Sequence, residues 1–323
     1  MLGSPCWCRT PGGLGRYGSR VPLFRRGRGH DANEPDGGGS EPDDSPRREL
    51  ARWGVDVPPL RKLTTTAAGQ DVWVADGKRS GTVELWRAVR GVHQHTGLWP
   101  FLLTASADML PDLLHFAATE ADVGELARGE ALDSDEVLRE LAAMAAGEDE
   151  DDDDEFEGEL DESTYDKEAR AVRPDVLADV EGRLQRDQPH RLALIEAAHG
   201  WEVPARLAWS GAANYDLSSA HHLAVLRRWG QRYGADLLTL GFDTIELVVD
   251  RPPAEKDEAL AVAREQFAYC PHIMWQGVGT IGALAAAQAR SRLWPSAHKG
   301  RRRCISRVCG ALFFPTSRRC PYW

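Results

Sequence analysis

Cysteine, lysine and asparagine are scarce in this chain, and long apolar runs are missing. Six cysteines occur, and five of them (Cys6, Cys8, Cys304, Cys309, Cys320) lie in the two terminal stretches, leaving Cys270 alone in the body. That distribution excludes a disulfide framework. The C-W-C and C-x4-C-x10-C spacings do not match a tetrahedral zinc pattern. No apolar run approaches the length of a membrane span. The basic N-terminus has no apolar segment behind it beyond VPLF (21–24), far too short for a secretory signal, so a cytoplasmic location is expected. The chain contains no G-x-S-x-G, no H-E-x-x-H and no P-loop. Five lysines against 34 arginines, with two asparagines, give the bias of a GC-rich bacterial genome.

What is present is unevenly distributed. Over 323 residues, 42% hydrophobic and 28% charged, the composition is globular on average. Residues 1–30 carry six Arg and no acid, and residues 298–323 carry Lys299, six Arg and no acid. Subtracting these 13 positive charges from the overall −11 leaves −24 on residues 31–297. A body that acidic repels nucleic acid and anionic membranes and favours cationic partners.

Residues 1–47 are rich in Gly, Pro, Arg and Asp without apolar periodicity and read as a disordered tail. An N-terminal αβ region spans 48–146. In it DVWVAD (71–76) predicts a strand, TVELWRAVRGVHQHTG (82–97) a helix stopped by Gly97, and LWPFLLTA (98–105) a buried strand. Helices follow near 109–128 and 134–146, the second capped by Asp133 or Ser134. The stretch 148–162, EDEDDDDEFEGELDE, holds twelve acids in fifteen positions and cannot bury a core, so 147–163 reads as an acidic linker or surface loop. A C-terminal α+β domain spans 164–294. RLALIEA (191–197) is a strand, a short helix starts at Pro204, and SSAHHLAVLRRWGQRYG (218–234) is a helix with His222, Val225, Leu226, Trp229 and Tyr233 on one face. LLTLGFDTIELVVD (237–250) predicts a hairpin turning at Gly241–Thr244, and Glu255, Asp257 and Glu258 open a further helix. The fold class expected is α+β. A C-terminal β-α-β-β-α unit, half of a ferredoxin-like fold, packs with the smaller N-terminal region.

The most varied chemistry lies in REQFAYCPHIMWQGVGT (264–280). Leu260, Ala263, Phe267 and Cys270 share a helix face, which makes Cys270 a small buried hydrophobe, and Pro271 stops the helix. Gly277 and Gly279 free the chain to turn, and Thr280 caps a helix starting at Ile281. A Gly-x-Gly before a helix can also cradle phosphate, but no strand precedes it. His93 and His95 point to opposite sides of a helix, and His221 and His222 diverge, so a metal site built on them and His272 requires tertiary convergence. Asp243 and Glu246 flank the hairpin turn. They could form an acid–base pair, and turn chemistry with a solvent-facing strand position explains them more simply.

WPFLL (99–103), RRWGQRYGADLLTLGFDTIELVV (227–249) and EQFAYCPHIMWQGVGT (265–280) resemble an actinobacterial family known as domain of unknown function 4253, most densely over 190–282. The resemblance implies a small cytosolic bacterial domain and supplies no activity, cofactor or catalytic residue. The family usually carries an acid after Cys-Pro, where this chain has His272. It also tends to end on an aromatic strand, where this chain has the Arg-, Cys- and Ser-rich 295–323. That stretch has the character of a shifted reading frame and reads as a tail foreign to the domain, leaving one sheet edge open to self-association.

These features point to a non-catalytic interaction or ligand-binding domain with an acidic body and Trp-rich segments. The alternative is a small-molecule enzyme, such as a hydrolase, using Asp243, Glu246 or His272. The candidate binding surface comprises Trp275, Gln276, Asp243, Glu246 and His272. No metal or cofactor is expected. The partner is a protein or small ligand rather than nucleic acid or membrane.

Overall fold

The computed structural model describes residues 45–75, 81–103, 124–147, 161–171, 191–209, 217–241, 244–274, 278–289 and 291–297. Among them stand nine α-helices and one seven-stranded mixed sheet. The strands are β1 (Leu60–Thr65), β2 (Asp71–Ala75), β3 (Leu98–Leu103), β4 (Arg191–Glu196), β5 (Ala235–Leu240), β6 (Thr244–Val249) and β7 (Leu293–Ala297). Their spatial order is β1-β2-β4-β3-β5-β6-β7, and every neighbouring pair is antiparallel except β3 and β5.

The helices are α1 (Ser45–Arg52), α2 (Thr82–Thr96), α3 (Glu125–Ala131), α4 (Ser134–Gly147), α5 (Tyr165–Ala171), α6 (Val203–Arg206), α7 (Ser219–Tyr233), α8 (Lys256–Tyr269) and α9 (Ile281–Gln288). Their ends follow the expected chemistry. Gly97 and Gly234 close α2 and α7 at φ 69° and 63°, where a Cβ would be strained. The Asp133 carboxylate accepts from the amides of Asp135 and Glu136 at the head of α4, and the Thr280 hydroxyl accepts from Ala283 N at the head of α9.

Both faces of the sheet are buried. Helices α4 and α6 to α9 contribute to the larger core, with Phe101, Ile195, Leu237, Ile245, Leu247 and Trp294 supplied by the strands. Helices α1 and α2 cover the other face, over Leu60, Trp73, Leu102, Leu192, Leu194, Leu238 and Leu293. Burial on both sides is why β3 and β4 are almost continuously apolar instead of alternating.

The strand–helix–strand–strand–helix order expected over 191–269 is present as β4-α7-β5-β6-α8, with the short α6 before α7. The N-terminal region shares its sheet: β3 lies between β4 and β5, antiparallel to one and parallel to the other. Two of the expected boundaries fall on described residues. Residues 148–160 of the acidic stretch lie outside the described residues, but 161–163 are not a loose linker. Asp161 O accepts from Gly282 N at 3.1 Å and Glu162 pairs with Arg264. A Cβ on Gly282 would lie 2.3 Å from Thr164 Oγ1, so the missing side chain is what lets this segment seat on α9. At the other end the domain does not stop at Trp294. Strand β7 continues to Ala297 and pairs with β6 from Leu293↔Val248 to Ala297↔Thr244. The edge expected to be open on β6 is therefore covered. The outer strands carry the usual deterrents to edge pairing: a register shift with Arg61 and Lys62 in β1, and Pro295 within β7. Among the described residues no helix is long and apolar enough to cross a membrane.

Candidate functional site

Strand β6 alternates. Ile245, Leu247 and Val249 enter the larger core, so Glu246 and Val248 point to the opposite face, where Val248 packs on the smaller core. Strand β5 carries a register shift. Leu237 opposes Leu247 and Thr239 opposes Glu246, so Leu238 and Thr239 on β5 together face the single residue Glu246. The consequence is specific. Leu237 and Leu240 both enter the larger core at a spacing of three, and Thr239 is turned to the same face as Glu246. The cross-sheet row at this level reads Leu192, Leu102, Thr239, Glu246, Pro295. Two leucines of the smaller core thus lead to a hydroxyl and a carboxylate directly across the ladder from each other.

Both polar side chains are enclosed. Thr239 is 0% exposed and its Oγ1 has no hydrogen-bond partner. Glu246 is 9% exposed, and no hydrogen bond or ion pair reaches its carboxylate among the described residues. The expectation of a solvent-facing Glu246 is corrected by the two-sided burial of the sheet. Buried carboxylates are ordinarily paired, because desolvation costs several kcal/mol per ion. Helix α2 packs chiefly on β3 and β4, which places this row beside the α2 footprint.

His272 sits in a different layer. It follows Cys270, which is buried in the larger core and ends α8. Burial pushes the His272 imidazole below its usual range, so it is neutral at pH 7. The groups before it form a chain across the core. The Trp209 indole donates to Gly241 O at 2.9 Å, at the start of the hairpin turn. Its ring lies 4.9 Å from that of His222, and His222 Nδ1 meets the Tyr269 hydroxyl at 2.6 Å. Tyr269 is fully enclosed, which raises its pKa well above the ordinary value. The chain links Gly241, α7 and the end of α8. Asp243, Trp275 and Gln276 lie outside the described residues, so the structure brings together Glu246 and Thr239 while His272 stands apart from them.

Toward the start of β5 is a second cluster that the sequence reading missed. Arg90 donates through Nε and Nη2 to one oxygen of Asp236, at 2.9 and 2.6 Å, and its guanidinium lies 4.4 Å from the Trp99 ring centre. Burial raises the Asp236 pKa against the pull of Arg90. His199 stacks on Trp201 at 4.0 Å beside it. Arg90 and Asp236 are 146 positions apart, so no local pattern could pair them. Thr239 was findable in principle, as the one hydroxyl within the apolar run LLTL. Among the described residues no group of three His, Cys, Asp or Glu side chains could hold a metal ion.

Residues 191–295 match the family described as domain of unknown function (DUF4253), so this part of the chain resembles that domain family over the whole of β4 to the start of β7, Glu246 and Thr239 included. No curated protein and no solved structure matches the chain.

Proposed function

We propose that the chain is a bacterial cytosolic domain that binds rather than catalyses, and that it holds a small ligand on the sheet face where Glu246 and Thr239 stand side by side. The observation that carries this reading is the pair itself: the enclosed Thr239 hydroxyl and the carboxylate of the 9% exposed Glu246, neither hydrogen-bonded among the described residues, on a sheet face that also carries Leu102, Leu238, Val248 and Leu293. Small-molecule sites are mostly apolar with a few placed polar groups that orient the ligand. An acid–base mechanism needs a second group within reach of the first. No hydrogen bond or ion pair joins Glu246 to another titratable side chain among the described residues.

The test is hydrogen exchange on the purified chain after incubation with a fractionated bacterial metabolite extract, with the extract followed by mass spectrometry. A retained, unaltered compound that slows exchange in β5, β6 and β7 supports the reading. Conversion of a compound to product, or protection confined to other strands, overturns it. One observation favours a second reading, in which the chain is an enzyme: His272 is only half enclosed and neutral at pH 7, the form that accepts a proton. That reading requires a product whose formation stops in His272→Ala.

A further inference from the structure

We propose that the group recognised at this face is an organic cation, an alkylammonium or alkylguanidinium, whose charged head pairs with the Glu246 carboxylate and donates to Thr239 Oγ1. The inference rests on the binding reading above and names the ligand class.

Three observations lead to it. First, Glu246 is a 9% exposed residue and among the described residues no donor reaches its carboxylate, although arginines satisfy comparable acids elsewhere: Glu202 takes Arg206, Glu265 takes Arg228 and Arg232, and Asp236 takes Arg90. Among the described residues these acids are paired internally and Glu246 is not. Second, the second orphan group is a hydroxyl whose oxygen can accept. A carboxylate accepts only, so carboxylate plus hydroxyl oxygen form an acceptor pair that fits a head group with two or three N–H donors. An anion would meet the carboxylate head-on. A neutral hydroxyl would leave its charge uncompensated. Third, the surround is aliphatic, which suits an alkyl chain behind the charged head. The charge of −24 over residues 31–297 steers cations toward the domain from a distance.

The experiment uses the full chain and four probes with a short unbranched alkyl chain, n-butylammonium, n-butylguanidinium, butyrate and 1-butanol, titrated by calorimetry with exchange mapping of β5 and β6. Blocked lysine and arginine (acetylated, methylamidated) form a second arm. Tighter binding of the blocked amino acids identifies a protein side chain as the source of the cation, and tighter binding of the plain butyl cations identifies a free amine. Either result supports the proposal. The expected result is saturable binding of the cations with protection of 235–249, none for butyrate, and about tenfold to hundredfold weaker binding in Glu246→Gln, the loss of one charge-assisted contact. Thr239→Val, which keeps the shape, weakens binding by a smaller factor. Binding of 1-butanol or butyrate as tightly as the cations overturns the cation assignment while the binding reading stands. Failure of every probe to protect 235–249 overturns the assignment too, and the metabolite experiment then decides the site separately. Cation binding that Glu246→Gln leaves unchanged overturns it as well.

Discussion

Replacing Glu246 by methionine should make the domain more stable. Removing an enclosed charge usually breaks a pair and strands its partner, which destabilises by about 3–5 kcal/mol. Among the described residues Glu246 has no partner to strand, so the sign reverses. Glu246 is a 9% exposed residue, accepts no hydrogen bond among the described residues and shares its sheet face with Val248. Methionine has similar length and no polar atom to desolvate, and it adapts to an irregular gap. Relief of an unsatisfied enclosed polar group is worth about 1–3 kcal/mol. In a domain of this size that is a rise of about 2–4 °C in melting temperature for each kcal/mol. Glutamine is the informative control. It removes the charge but keeps an amide without partners, so it should recover less than methionine. The assay is a thermal melt beside a urea titration at neutral pH, with an unchanged m-value showing that only stability has moved. A loss of more than about 1 kcal/mol in Glu246→Met would refute the reasoning, because such a loss requires a stabilising partner for the carboxylate.

Further outcomes follow from the same structure. Tyr269→Phe leaves His222 Nδ1 without its 2.6 Å partner in the core and should cost about 1–3 kcal/mol by urea titration. Because the folded Tyr269 pKa lies well above 10.0, the unfolded chain loses this proton first as pH rises past 10, so wild-type stability falls there and the Phe variant should show a shallower fall. His272 titrates below 6.5 in the folded chain, so the unfolded chain binds the proton first and stability is lost as pH drops through 6.5; His272→Ala should flatten that slope, and an unchanged slope would locate the pH dependence elsewhere. Deleting 148–160 should leave the melting temperature nearly unchanged, whereas extending the deletion through Thr164 removes the Asp161–Gly282 and Thr164–Thr280 hydrogen bonds and should lower it by several degrees.

The elements were legible because their signals are local. Apolar spacing fixed α2, α7 and α8, Gly97 and Gly234 marked helix ends, and the run from Leu237 to Asp250 declared a hairpin. What could not be read was relative placement. The insertion of β4 between β2 and β3 joins residues far apart in the chain, from Leu103↔Arg191 to Trp73↔Leu194, and has no local signature. Glu246 illustrates the difference. Its strand and its alternating position were evident, and its face was assigned to solvent because alternation normally means one wet side. In a sheet covered on both faces the same alternation buries it. Thr239 became its neighbour only through the register shift in β5, which no residue type announces. Pro295 misled in the opposite sense. Taken as the end of the domain, it lies inside an edge strand, a position where proline is tolerated.

The central claim is that the Glu246 carboxylate is kept unpaired inside the fold to receive a cation from outside it. A thermal melt of wild type and Glu246→Met, each with and without saturating n-butylguanidinium at millimolar concentration, tests both halves together. The account predicts that the variant melts higher than wild type without the probe, and that the probe raises the wild-type melting temperature and leaves the variant where it was. A variant that melts lower, or a probe that shifts both proteins equally, would contradict it.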